Sequence, residues 1–81
     1  RATVGRDSSA DIQINDNGLS RKHFEILWDG KKAAVHDLGS TNGTRVAGRA
    51  VTNLGIVPET VISAGRTDFV FRVIAKAKTD E

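Results

Sequence analysis

Short apolar stretches alternate with polar residues along most of the chain, and no 3.6-residue period stands out, so the pattern predicts strands rather than helices. Residues 23–28 alternate most clearly and put Phe24, Ile26 and Trp28 on one face. Asp29-Gly30 then predicts a tight hairpin turn into a strand over 33–38, because both residue types tolerate positive φ. Upstream, residues 3–6 and 11–14 are expected to form the first two strands, with Asn15-Asp16-Asn17-Gly18 as a turn between Ile14 and Leu19. Beyond a loop over 39–44, two short strands, Thr44–Val46 and Arg49–Val51, join at Ala47-Gly48. Residues 60–64 and 68–74 are expected to pair across Gly65-Arg66-Thr67, with Phe69, Phe71 and Val73 entering the core and Val70 and Ile74 covering the other side. Runs this short, punctuated by Gly, Asn, Asp and Ser, predict an all-β class, an antiparallel sandwich or barrel. Residues 75–81 carry four charges and no large apolar side chain, and a frayed tail is expected there.

Length makes this one domain: 81 residues bury only about 60 to 65% of their unfolded surface. Cysteine is absent, which excludes disulfides, thiolate metal sites and cysteine nucleophiles and fits a reducing, cytoplasmic setting. No apolar run approaches a membrane span, so membrane insertion is not expected. Twelve Lys and Arg against ten Asp and Glu leave a formal charge of +2. The bases are scattered and the four aromatics sit in strand patterns, without the basic stripe and exposed aromatics of a nucleic-acid binder.

Candidate chemistry lies in three short words, Gly5-Arg6, Ser20-Arg21-Lys22-His23 and Ser40-Thr41-Asn42-Gly43-Thr44. A guanidinium, two hydroxyls and glycine-bordered turns with free N–H groups are parts that can hold a phosphate dianion. Each part also has a plainer use: Arg6 in an ion pair with Asp11, Ser20 capping its own turn, Asn42-Gly43 as a hairpin. Ser20, His23 and Asp37 supply the residue types of a hydrolase triad, but no nucleophile elbow surrounds the serine. A metal site from His23, His36 and Asp37 is disfavoured, since His36 and Asp37 are neighbours on a strand and point to opposite faces. Nucleotide binding is disfavoured too, because no lysine follows Gly43 as a P-loop requires. Neither a metal nor a cofactor is expected.

From Thr3 to about Ile74, the ordered combination of the three words resembles the forkhead-associated (FHA) domain, a β-sandwich that binds phosphothreonine peptides. The resemblance implies a non-catalytic module that recruits its parent protein to a phosphothreonine-bearing partner, a Ser/Thr kinase or its substrate. Arg6 is then the main phosphate ligand, joined by Ser20, Thr41 and the Arg21 backbone N–H and guanidinium. Asn42 clamps the peptide main chain, His23 fixes the Ser20 loop through backbone hydrogen bonds, and Gly5 and Gly43 serve backbone conformation. The Trp28-Asp29-Gly30 hairpin and its neighbouring words are similar to FHA domains of actinobacterial kinase-substrate proteins.

Two departures stand out. The 54–60 stretch, with Pro58-Glu59-Thr60, replaces the usual Asp-Gly-Asp type of turn. FHA domains usually carry a β-hairpin ahead of their Gly-Arg word, and only four residues precede Gly5, so the 1–74 domain is expected to lack those strands. An open sheet edge would follow, so the sequence is read as part of a larger protein that supplies those strands, the alternative being that a second copy of the chain covers the edge. The rival reading is a phosphate-independent assembly domain that associates through such an edge or an outer sheet face.

Overall fold

The computed structural model describes residues 1–73, which form nine strands and no helix. They are β1 (Ala2–Gly5), β2 (Ile12–Gln13), β3 (Phe24–Trp28), β4 (Ala33–Asp37), β5 (Thr44–Val46), β6 (Arg49–Val51), β7 (Asn53–Ile56), β8 (Val61–Ala64) and β9 (Thr67–Val70). Two sheets result, in the orders β2-β1-β3-β4-β7 and β6-β5-β8-β9. Every pairing is antiparallel except β1 with β2, which runs parallel. The expected tail over 75–81, and Ile74 before it, lie outside the described residues.

The inward faces supply one core of Val4, Leu19, Phe24, Ala33, Val35, Ile56, Ile62 and Ala64. Phe24 on β3 meets Phe69 on β9 edge to face, centroids 5.2 Å apart at 81°, the favoured geometry of an aromatic pair, and this contact joins the two sheets. Alternation therefore sets which side chains point inward, but burial also depends on what lies opposite. Along β3 it falls from Phe24, which is 1% exposed, to Trp28, which is 44% exposed and rests against Phe71 at 6.1 Å. Val73, expected in the core, is likewise 44% exposed: β9 ends at Val70, and its backbone pairing stops one residue later, where Phe71 bonds to Thr60 and Glu59.

Three local features depart from the sequence pattern. The β3–β4 connection is a four-residue loop, since Trp28 is registered against Ala33. Asp29 needs no positive φ there: its carboxylate accepts from the Lys31 and Lys32 N–H groups at 2.8 and 2.6 Å, and Gly30 alone of the pair has a positive φ, +97°. β7 was not foreseen because its residues show no alternation; only Ile56 is buried, and the strand exists through its ladder with β4. Val57-Pro58-Glu59-Thr60 forms a turn closed by the Thr60 N–H on the Val57 carbonyl at 3.1 Å, with Pro58 in the second position and Glu59 at φ +74° in the third, the pattern of a type II turn. Arg72 grips Glu59 through both carboxylate oxygens at 2.9 and 3.0 Å.

Candidate functional site

The first two words meet backbone to backbone where β1 ends. The Arg6 and Asp7 N–H groups donate to the Ser20 and Arg21 carbonyls at 3.0 and 3.1 Å, and the His23 N–H donates to the Val4 carbonyl at 2.8 Å. A Cβ on Gly5 would stand 1.9 Å from the Arg21 carbonyl oxygen, so only glycine fits between the segments. The need at this position is close approach rather than a special φ.

The second and third words meet through Ser20 and His23. The Thr41 N–H donates to the Ser20 hydroxyl oxygen at 3.0 Å. His23, with no exposed surface, accepts from the Ser20 N–H at Nδ1 (3.0 Å), and its Nε2 lies 2.8 Å from the Gly43 carbonyl oxygen. An N–H can only donate and a carbonyl can only accept, so the ring is the neutral tautomer with its proton on Nε2. It ties the Ser20 loop to Gly43, whose φ of +85° turns the chain into β5.

Asp37, at the end of β4, organises the third word. Its carboxylate accepts from the Gly39 and Ser40 N–H groups, both at 3.0 Å, from the Ser40 hydroxyl, and from the buried Thr44 hydroxyl at 2.7 Å. Burial opposes its ionisation, but these hydrogen bonds from Ser40, Thr44 and Gly39 outweigh that and hold its pKa below the ordinary 3.8. The Ser40 hydroxyl oxygen in turn accepts from the Gly43 N–H at 3.0 Å. Sequence reasoning weighed Asp37 only for a triad or a metal. Its signal was present in Asp37-Leu38-Gly39-Ser40, where an aspartate two and three residues ahead of free N–H groups nucleates a turn.

Around this frame stand the groups that remain available. Arg6 is exposed and anchored by its Nε on the Leu19 carbonyl at 3.0 Å, and its two terminal guanidinium nitrogens have no hydrogen-bond partner among the described residues. Arg21 is exposed, and its N–H has no partner among the described residues. Asn42 spends one amide N–H on the Gly18 carbonyl at 2.9 Å and keeps its oxygen and second N–H. The Ser20 hydroxyl, accepting from Thr41, still has its own proton to give.

Ser20, His23 and Asp37 do not form a triad. Both His23 nitrogens are occupied by backbone groups, and the Asp37 carboxylate is committed to its own loop. His36 turns to the opposite face of its sheet and contacts Glu25, its cross-strand partner, at 2.9 Å, apart from both His23 and Asp37. Glu25 also pairs with Arg1 at 3.0 Å. Among the described residues there is no cluster of three or more His, Cys, Asp or Glu side chains able to hold a metal, and no helix long and apolar enough to cross a membrane.

Comparison with known proteins agrees with this geometry. The chain is 39% identical over 70 residues to the FHA domain-containing protein FhaA of Mycobacterium tuberculosis, covering 86% of this chain and 13% of FhaA. It is 32% identical over 69 residues to the glycogen accumulation regulator GarA of Mycolicibacterium smegmatis, covering 85% of this chain and 44% of GarA. It thus spans less than half the length of either relative. A crystal structure of the FhaA FHA domain complexed with the intracellular domain of Rv3910 superposes with a TM-score of 0.82 at 38% identity, covering 85% of this chain and 76% of that one. A structure from work on phosphothreonine-dependent FHA domain interactions gives 0.86 at 36% identity, covering 93% and 78%. The FHA domain family profile matches residues 2–66. With three loops gathered at one end of a two-sheet β-sandwich and this match across most of its length, the chain belongs to the FHA domain family.

Proposed function

We propose that this chain is a phosphothreonine-recognition module that recruits its parent protein to segments phosphorylated by a Ser/Thr kinase. The observation that carries the reading is the meeting of Arg6, Ser20 and Thr41, with the Ser20 hydroxyl 3.0 Å from the Thr41 N–H and the Arg6 fork anchored on the residue before Ser20. A phosphate brings about −1.5 to −2 charges and three acceptor oxygens. The two terminal nitrogens of Arg6, the Ser20 hydroxyl proton, the Arg21 N–H and the Thr41 hydroxyl, without partners among the described residues, are donors of the kind it needs. Each charge-assisted bond contributes roughly 1.5 to 3 kcal/mol. Asn42 supplies the peptide clamp with its oxygen and remaining N–H, while Gly5, His23 and Gly43 hold the loops.

The likeness to FhaA and to a structure from a study of phosphothreonine-dependent FHA interactions supports the same reading. No catalytic role is assigned to Ser20, because among the described residues its hydroxyl meets the Thr41 N–H and no side-chain base, both His23 nitrogens being taken by backbone groups. One observation favours an assembly role as a second reading: Val61 and Val70 are registered opposite each other on β8 and β9 and are both about half exposed.

Calorimetric titration with matched phosphothreonine, phosphoserine, glutamate and unphosphorylated peptides separates the two. Recognition predicts phosphothreonine ahead of phosphoserine, the methyl being worth on the order of 0.8 kcal/mol when buried, and no binding by glutamate or threonine. Equal binding of glutamate and phosphothreonine peptides would contradict the phosphate site.

A further inference from the structure

Beside Asn42 opens a cleft of about 830 Å³, bounded by the 15–18 turn, by Arg45 on β5 and by the β8–β9 turn. Its walls are held by Asp16, a buried carboxylate whose oxygens accept from the Gly18 N–H at 2.8 Å, the Arg66 N–H at 2.7 Å and the Thr67 hydroxyl at 2.7 Å. Gly18 and Gly65 close the same seam, since a Cβ on Gly18 would lie 2.8 Å from the Gly65 Cα. The two loops are thus locked together and the cleft is pre-formed.

Among the described residues Asp16 is the only carboxylate lining this cleft, and its oxygens accept from these internal donors. Arg45 and Arg66 are exposed, and among the described residues neither guanidinium is ion-paired. Asn15, Asn17 and Asn42 add neutral hydrogen-bonding groups to the same walls. The cleft therefore offers two guanidinium forks without an ion-pair partner among the described residues, and amides of which Asn42 has one N–H engaged by the Gly18 carbonyl. A carboxylate is the side chain that such a set matches, since guanidinium pairs with it bidentately.

We infer that the cleft receives an acidic side chain of the bound segment, so that the protein selects phosphothreonine partners carrying Asp or Glu at one position displaced from the phosphate past Asn42. This inference rests on the phosphothreonine reading and adds a sequence requirement to it. Arg45 and Arg66 are specificity determinants here, distinct from Arg6 at the phosphate. An extended peptide advances about 3.3 Å per residue, so a cleft adjoining Asn42 is within reach of the residues next to the phosphothreonine.

The test is a set of phosphothreonine peptides with alanine flanks in which Asp or Lys is placed in turn at each of four positions on either side. The intact chain, Arg45→Glu, Arg66→Glu and the double variant are titrated with each. At one position the intact chain is expected to bind the Asp peptide about three- to tenfold more tightly than the Lys peptide, and the double variant to reverse that order. The preference is read as a ratio within each protein, so any general loss of affinity cancels. Arg66→Glu keeps the backbone N–H that Asp16 accepts from, the contact that joins the two loops. A ratio within twofold at every position, with binding still phosphate-dependent, overturns the acidic preference alone. A preference unchanged in the double variant overturns the assignment to Arg45 and Arg66. Absence of phosphate-dependent binding by the intact chain overturns the phosphothreonine reading and this inference with it.

Discussion

Nδ1 of His23 accepts the Ser20 N–H at 3.0 Å, so a fully buried ring, rather than a side-chain ligand, sets where the Ser20 hydroxyl stands. With Nε2 on the Gly43 carbonyl, the imidazole spans two loops that are 20 residues apart in sequence. His23→Ala should leave two backbone groups unpaired beside a cavity and destabilise the fold by about 2 to 4 kcal/mol. Thermal denaturation measures this, with roughly 4 to 8 °C expected per kcal/mol in a domain of this size. Unchanged melting would show that the ring does not carry the loops.

Arg6 sits on the surface with one hydrogen bond to the Leu19 carbonyl, so Arg6→Ala should alter melting little while removing the main donors of the proposed phosphate site. A loss of two charge-assisted bonds, about 3 kcal/mol or more, corresponds to at least about a hundredfold in affinity. Arg6→Lys should recover little, because an ammonium offers no fork to meet two oxygens. Fluorescence anisotropy with a labelled phosphothreonine peptide reads both variants.

Gly5→Ala places a methyl where the Arg21 carbonyl oxygen lies 1.9 Å away. The contact is with backbone, which cannot swing aside as a flexible side chain can. The first two words must separate, and we expect at least about 2 kcal/mol of destabilisation together with weakened phosphopeptide binding. Gly55→Ala is the control, because its nearest neighbour, the Ala33 carbonyl oxygen, is 3.9 Å away.

The β5–β6 hairpin turns through Ala47 and Gly48 at φ +54° and +78°, the signature of a type I′ turn with alanine in a conformation it disfavours. Ala47→Asn creates the preferred Asn-Gly pair and should stabilise the domain by about 0.5 to 1 kcal/mol without affecting binding. Chemical denaturation with a shared slope for both proteins measures it.

Binding and folding should respond to acid in separate windows. A phosphate monoester has its second pKa near 6, so affinity should hold above about pH 7 and decline as the dianion is protonated. Hydrogen bonds hold Asp37 below its ordinary 3.8, despite the opposing effect of burial. Asp16 is lowered in the same direction, first by the Thr67 hydroxyl and then by the Gly18 and Arg66 N–H groups. A lowered folded-state pKa stabilises at pH above the unfolded value, and that contribution is lost as pH falls through the folded value. The fold should therefore keep its stability down to about pH 5 and lose it below about pH 4, after binding has gone. Melting curves and titrations at pH 7.5, 5.5 and 3.5 test the order. Asp37→Asn should melt lower at neutral pH and show a shallower acid decline.

Much of the fold lies in local pattern. The alternation Phe24, Ile26, the turn pairs at Asp29-Gly30 and Ala47-Gly48, and the glycines between runs are enough to place eight of the strands and their class, because side-chain period and turn chemistry are properties of neighbouring residues. The three words are likewise contiguous, so their phosphate-type donors can be read one after another. β7 could not be read, since its backbone is ordered by the ladder with β4 and its side chains carry no periodic signal. Nor could the exposure of Trp28 and Val73, which depends on what lies opposite each side chain and on where β9 ends.

What the sequence determined by itself was the list of parts: an all-β chain with Arg6, Ser20, Thr41 and Asn42 in turns, and Gly5, His23 and Gly43 beside them. Only the tertiary structure decided that Gly5 exists to admit the Arg21 carbonyl, that His23 is a neutral bridge, and that Asp16 and Asp37 tie down the loops. The physical reason is separation. Asp16 meets Arg66 across 50 residues and Thr41 meets Ser20 across 21, and such contacts follow from how two sheets stack, which no local window of residues records.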